Sequence, residues 1–240
     1  MPKATKPPYN RITSGLRKNQ FLISLVMFIE ETLPLWRDDP ERKVLPQKNE
    51  KNFNKSLCIK LEDEARKHDM LFCFLHESGT TKQRSVDIAA MPKDNVTIQA
   101  RTFNRYQSIL DIECKRLPAP SSKRKQEYLT GEPEITGGIQ RFKLSLHGID
   151  LNECVMIGYI EDKNPTQWFE ILNQWISELH GKQTSDTLVW SNDEQLTEFK
   201  YDANQKTSHS QSKHSRIDAE GKKCQAISIH HLWVEMNGKS

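Results

Sequence analysis

The run Ile109-Leu110-Asp111-Ile112-Glu113-Cys114-Lys115-Arg116-Leu117 is the strongest constraint on what this chain can fold into. Its apolar and charged residues alternate at the two-residue period of a β-strand, where side chains i and i+2 share a face. Glu113 and Lys115 therefore project together, and Ile112 and Cys114 turn to the opposite, core-facing side. An acid and a cation at the end of an apolar strand are costly to bury unless they meet partners. Their shared face points to a metal or phosphate site. A second lone carboxylate, Asp87, interrupts the apolar run Val86-Asp87-Ile88-Ala89-Ala90. If the two strands are neighbours, Asp87 and Glu113 converge on one cation. With the carbonyl of Cys114 and waters they would form the hard oxygen shell that Mg²⁺ takes.

The rest of the chain supplies a setting for these strands. Residues 1–18 carry Lys3, Lys6, Arg11, Arg17 and Lys18 with no acid, and read as a flexible basic arm. From 19 to 240 the spacing predicts a single domain, with its core at about 50–180 and a C-terminal elaboration at 182–240. Leu22, Leu25, Val26, Ile29, Leu33 and Trp36 make one helical face over 19–37, which Pro34 should end or bend near its last turn. A polar connector, 37–48, leads to a second helix over 50–68 with Phe53, Leu57, Leu61 and Ala65 on one stripe and Glu62, Asp63 and Glu64 turned outward.

The period then changes to that of strands. Residues 70–75 and 86–91 flank the turn-rich Ser78-Gly79-Thr80-Thr81 and read as a hairpin. A third strand covers 108–114 and ends near Leu117-Pro118, and the Pro-, Ser-, Lys- and Gly-rich stretch 118–137 is a loop. A helix over 139–146 and a buried strand over 155–160 follow. Asn164-Pro165 caps a helix with Trp168, Ile171, Leu172, Trp175 and Leu179 on one face, and Gly181 ends it. Residues 182–224 are mostly polar, and a last strand spans 226–236. This order describes an α/β fold: a mixed central sheet flanked by helices, with an N-terminal helical extension and a C-terminal strand.

At 35% hydrophobic and 28% charged residues, with net charge +3, the chain is globular and only mildly basic. A polyanionic partner is permitted but not demanded. Five scattered cysteines without a CxxC pair read as reduced thiols of a cytoplasmic protein. The longest early apolar stretch, 21–29, is too short to span a bilayer, so no membrane role is expected.

The pairing of Asp87 with Glu113-Cys114-Lys115 resembles the PD-(D/E)xK superfamily of restriction-endonuclease-like nucleases. The element order over about 50–160 matches that family's core. The run Glu113 to Leu117, with Gly138-Ile139-Gln140-Arg141-Phe142 and Met156-Ile157-Gly158-Tyr159, is similar to small stand-alone bacterial members tied to restriction, phage defence or mobile elements. The resemblance implies an endonuclease hydrolysing DNA with Mg²⁺, or with Mn²⁺ in its place. Asp87 and Glu113 would be metal ligands and Lys115 the catalytic lysine. A further glutamate from the preceding helix is common in that family. Glu50 is the choice here, with Glu62, Glu64 and Glu77 as weaker alternatives. Val86 stands where the signature has proline.

Around the motif, Arg116, Lys123, Arg124 and Lys125, with Gln140 and Arg141 on the next helix, form a basic rim suited to DNA backbone phosphates. His209, His214, His230 and His231 lack convincing zinc-ligand spacing and read as structural. Phe28, Trp36, Trp168, Phe169 and Trp175 belong to the core or to an interface, one of which could support a homodimer. The alternative to a nuclease is an inactive chain of the same fold that binds DNA or a protein partner.

Overall fold

A computed structural model describes residues 20–43, 49–78, 85–98, 100–131, 134–182 and 188–236. The basic segment 1–18 and the expected hairpin turn at 79–81 lie outside them.

Helix α1 (Gln20–Arg37) buries Leu22, Leu25, Val26, Ile29, Leu33 and Trp36, the stripe its spacing predicts. Pro34 sits inside the helix, which runs on to Arg37 rather than stopping. The proline leaves the Glu30 carbonyl without its usual helical partner, and the helix continues for less than a turn beyond it. A single turn, α2 (Pro40–Lys43), occupies part of the stretch expected as connector. Helix α3 (Glu50–Lys67) starts where Asn49 accepts the Asn52 N–H at 2.9 Å. It buries Phe53, Leu57, Leu61 and Ala65. Glu64, expected to face outward, is also buried, held by Lys67 at 2.8 Å and Lys60 at 3.3 Å.

The strands are β1 (Phe72–Ser78), β2 (Val86–Pro92), β3 (Val96–Ile98), β4 (Arg101–Phe103), β5 (Leu110–Leu117), β6 (Glu153–Ile160), β7 (Thr197–Asp202), β8 (Thr207–Ile217) and β9 (Lys223–Glu235). Two further helices are α4 (Gly138–Lys143) and α5 (Pro165–Gly181). Seven strands form one sheet in the order β1-β2-β5-β6-β9-β8-β7, and β3 and β4 make a separate hairpin. The pairs β5–β6 and β6–β9 are parallel and the others antiparallel, so the sheet is mixed. Helix α5 carries the Asn164 capping box and N1 proline that the sequence announces.

Helices cover both faces. On one, Phe28 of α1 packs on Phe72 and Phe74, and Trp36 and Phe53 pack on Tyr159. On the other, Gly138 of α4 meets Met156, Tyr128 lies against His231 and Trp233, and Phe169 of α5 packs on Phe199 of β7. Phe28, Trp36, Trp168 and Trp175 are all buried in this core, which leaves those side chains nothing to offer a second copy.

Strands β7 and β8 fall where only polar sequence was expected. The buried residues of β8 include Ser208, Ser210, Ser212 and His214, so the strand alternates inside and outside without hydrophobic periodicity. The helix expected over 139–146 ends at Lys143, and β5 stops at Leu117, where Leu117-Pro118 is expected to end it. No helix among the described residues is long and apolar enough to cross a membrane.

Candidate functional site

Strands β2 and β5 pair antiparallel with Ile88 opposite Ile112. One step further along that register sets Asp87 opposite Glu113, and residues directly opposite in such a pair share a face. Asp87 Oδ2 accepts the Cys114 N–H at 2.8 Å, which locks the carboxylate against β5. The Cys114 thiol points the other way, into the core, and burial pushes it well up.

Glu113 is fully buried, and cations surround it. Lys115 Nζ and Arg141 Nη1 each lie 3.0 Å from its Oε1. His147 Nδ1 lies 3.3 Å from Oε2 but outside hydrogen-bonding geometry, so that buried oxygen has no hydrogen bond. Burial alone would raise this carboxyl. The Lys115 ammonium, with His147 and Arg141, outweighs burial and holds it well below the usual carboxylate range.

Lys115 bridges two acids, since its Nζ is also 3.3 Å from Glu50 Oε1. Burial lowers the ammonium's pKa, but Glu113, Glu50 and Asp87 outweigh it, and the group is raised. Glu50, the first residue of α3, accepts the Arg116 N–H through Oε2 at 3.2 Å. The helix thus brings a third carboxylate to the end of β5. Asp87 has the opposite fate to Glu113: burial, reinforced by the Glu113 charge, pushes it up to about 7 despite Lys115 and the Cys114 N–H.

The other candidate acids are elsewhere. Glu62 accepts the Phe74 N–H at 2.8 Å, Glu64 pairs within α3, and Glu77 pairs with Lys51 at 3.1 Å. The basic rim is largely occupied by the protein's own groups. Arg116 Nε donates to Glu161 at 2.7 Å, Arg124 pairs with Glu127, and Lys125 lies 5.6 Å over the Trp175 ring. Buried Gln140 accepts the Gly131 N–H at 3.0 Å and so braces a loop rather than lining a surface. Lys123 is exposed in a single 3-10 turn, Ser122–Arg124.

Two residues of this centre escaped the sequence reading. His147 is brought to Glu113 by the turn after α4, and Asp111 anchors that turn through the Gly148 N–H at 2.9 Å. Gly148 is needed there, because its φ is +61° and a Cβ would come within 2.6 Å of Cys154 Sγ. The histidines considered for zinc fall on opposite faces of the sheet. His209 Nε2 meets His230 Nδ1 at 3.1 Å beside Glu30, whereas His214 and His231 share Ser212. Among the described residues, no three His, Cys, Asp or Glu side chains stand together as a set able to hold a metal ion.

Chemically, the centre is a convergence of three carboxylates on one lysine, with a second cation, Arg141, at its rim. No family model, no curated protein and no solved structure matches the chain.

Proposed function

We propose that this chain hydrolyses DNA phosphodiester bonds as a divalent-metal endonuclease on a restriction-endonuclease-like core, with Asp87, Glu113 and Lys115 as its centre. The observation that carries the reading is the meeting of Asp87 and Glu113 across β2 and β5 with Lys115 beside them. Two features of the donor set suit a hard cation. Glu113 Oε2 is buried without a hydrogen bond, and Asp87, raised first by burial and then by the Glu113 charge, is a carboxyl whose ionised form a nearby cation would favour. Asp87 and Glu113 would hold Mg²⁺, or Mn²⁺ in its place, with the Cys114 carbonyl and waters completing the shell. A cation so bound supplies a polarised phosphoryl oxygen and a more acidic water.

The protein's own contribution is positional. Lys115, held by Glu50 and Glu113, presents a fixed positive charge where water and phosphate would meet, and so favours negative charge developing on phosphorus. Glu50 keeps that lysine aimed. A role in restriction, phage defence or mobile elements belongs to this reading, in the cytoplasm that the scattered thiols suggest.

A second reading has one observation in its favour. Glu113 is already engaged by Lys115 and Arg141, as in a nuclease fold that binds DNA without turning it over. A plasmid-nicking assay decides between them. Mg²⁺- or Mn²⁺-dependent nicking that Asp87→Ala and Lys115→Ala abolish supports the enzyme. Activity unchanged in both variants overturns the proposed centre, and salt-sensitive DNA binding without any nicking favours the second reading. RNA that competes out DNA would reassign the substrate.

A further inference from the structure

Arg141 stands where a cation ligand should be free. Its Nη1 is 3.0 Å from Glu113 Oε1, the oxygen that Lys115 also contacts at 3.0 Å. The two cationic side chains are not equivalent. Lys115 is shared between two carboxylates and its side chain is 7% exposed, whereas Arg141 meets one carboxylate and is 22% exposed. Among the described residues, Arg141 is further held only by the Ile135 carbonyl, 3.3 Å from its Nε. It is the member of the cluster that can leave.

Charge counting says that one should leave. With all three carboxylates ionised, as a bound cation would require, Glu50, Asp87 and Glu113 against Lys115 and Arg141 sum to one net negative charge. A divalent cation would carry that sum to one net positive charge, and departure of a single side-chain cation returns it to zero. In a buried site such imbalances matter far more than at the surface. A guanidinium that leaves a carboxylate has a natural next partner in a phosphate, whose oxygens it binds in two-pronged fashion.

We propose that Arg141 is an exchangeable counterion: a DNA backbone phosphate draws it off Glu113, and the vacated carboxylate then takes the divalent cation. Phosphate capture and cation binding are therefore coupled, and the centre assembles fully only on substrate. This rests on the reading of Asp87 and Glu113 as cation ligands.

The test measures Mn²⁺ binding to the DNA-free protein by calorimetry, with duplex binding measured separately in EDTA. Arg141→Gln should bind Mn²⁺ about tenfold or more tighter than wild type, the size of a typical coupling between sites. It should also bind DNA more weakly. Arg141→Lys, which keeps the charge but not the two-pronged grip, should stay near wild type in Mn²⁺ affinity and fall between wild type and Arg141→Gln in DNA binding. Glu113→Gln should lose Mn²⁺ binding. If Arg141→Gln leaves Mn²⁺ affinity unchanged while Glu113→Gln still abolishes it, the exchange is wrong and the metal centre stands. Equal tightening by Arg141→Lys and Arg141→Gln, or undiminished DNA binding by Arg141→Gln, also overturns the exchange. Mn²⁺ binding that Glu113→Gln does not weaken overturns the exchange and the metal centre together.

Discussion

Lys143 Nζ lies 2.5 and 2.6 Å from the two carboxylate oxygens of Glu194, and both side chains are buried. Glu194 also accepts the N–H and the hydroxyl of Ser215, each at 2.9 Å. Burial raises the carboxyl, but His214 and Lys143 outweigh it and hold it at about 2. This pair ties α4, the helix that carries Arg141, to the turn before β7 and to β8. Removing one partner strands the other charge inside, so Glu194→Ala should cost about 3–5 kcal/mol, whereas Lys143→Met with Glu194→Leu should recover most of it. Urea unfolding of the single and double variants checks this, and a double variant no better than the single one refutes it.

Beside the same carboxylate, with His214 Nδ1 3.5 Å from its Oε2, runs a buried chain of hydrogen bonds that sets the pH response. Trp233 Nε1 donates to Tyr128 Oη at 2.8 Å, and Tyr128 meets His231 Nδ1 at 2.9 Å. His231 Nε2 and His214 Nε2 each lie 2.7 Å from Ser212 Oγ. Neutral imidazoles satisfy this chain when each group donates toward Glu194. Burial lowers both histidines, outweighing the pull of Glu194 on His214, and His231 falls well below its ordinary value. Their folded values lie below the unfolded one, so the unfolded chain takes up protons first. Their contribution is complete above pH about 6.5 and is lost as pH falls below it. The urea midpoint should therefore drop between pH 7.5 and 5.5, and a flat profile would count against buried neutral histidines. Glu194, depressed to about 2, acts in a lower window. Its contribution is present above the unfolded carboxylate value and disappears only as pH falls toward 2.

Gly158 sits beside Lys115 in the parallel register of β5 and β6. A Cβ there would come within 2.5 Å of Trp233 Cδ1 and 3.0 Å of Leu117 Cδ1. The indole cannot yield, because it is fully buried and bonded to Tyr128. Gly158→Ala should thus destabilise by about 1–3 kcal/mol, the usual range for an overpacked core. Thermal unfolding with indole fluorescence tests it, and a wild-type midpoint would show that Trp233 is freer than it looks.

Glu50 and Glu113 should separate by severity. Glu50→Gln retains an acceptor for the Arg116 N–H but removes one of the charges holding Lys115. Nicking should fall about 10- to 100-fold, as for residues that orient a metal site from outside. Glu113→Gln should fall by more, to the floor of the assay. Equal losses would make Glu50 a ligand in its own right.

How much of this was legible beforehand depends on the kind of signal. The two-residue period around Glu113 was enough to put it with Lys115, and a matching acid in an apolar strand was enough to add Asp87. Glu50 followed from family resemblance and from its place at a helix start. Strand β8 was invisible because its inward side chains are serines and a histidine, whose burial depends on hydrogen bonds rather than apolarity. The pairing of Arg141 with Glu113 was equally hidden, since a surface-type residue on a polar helix gives no sign that it will turn back onto an acid 28 positions earlier.

The position of β9 has a consequence for how this protein comes into being. It lies between β6 and β8, pairing with both, although it is the last strand among the described residues. During synthesis, β5 and β6 emerge with the centre's residues while one edge of β6 still waits for 223–235. The nascent chain therefore carries an unpaired apolar strand edge through the making of everything from α5 to β8, the condition under which chains pair wrongly with one another. A ribosome stalled before Lys223 would release the motif but not the completed sheet, leaving the proposed DNA-cutting centre without its scaffold until β9 has emerged.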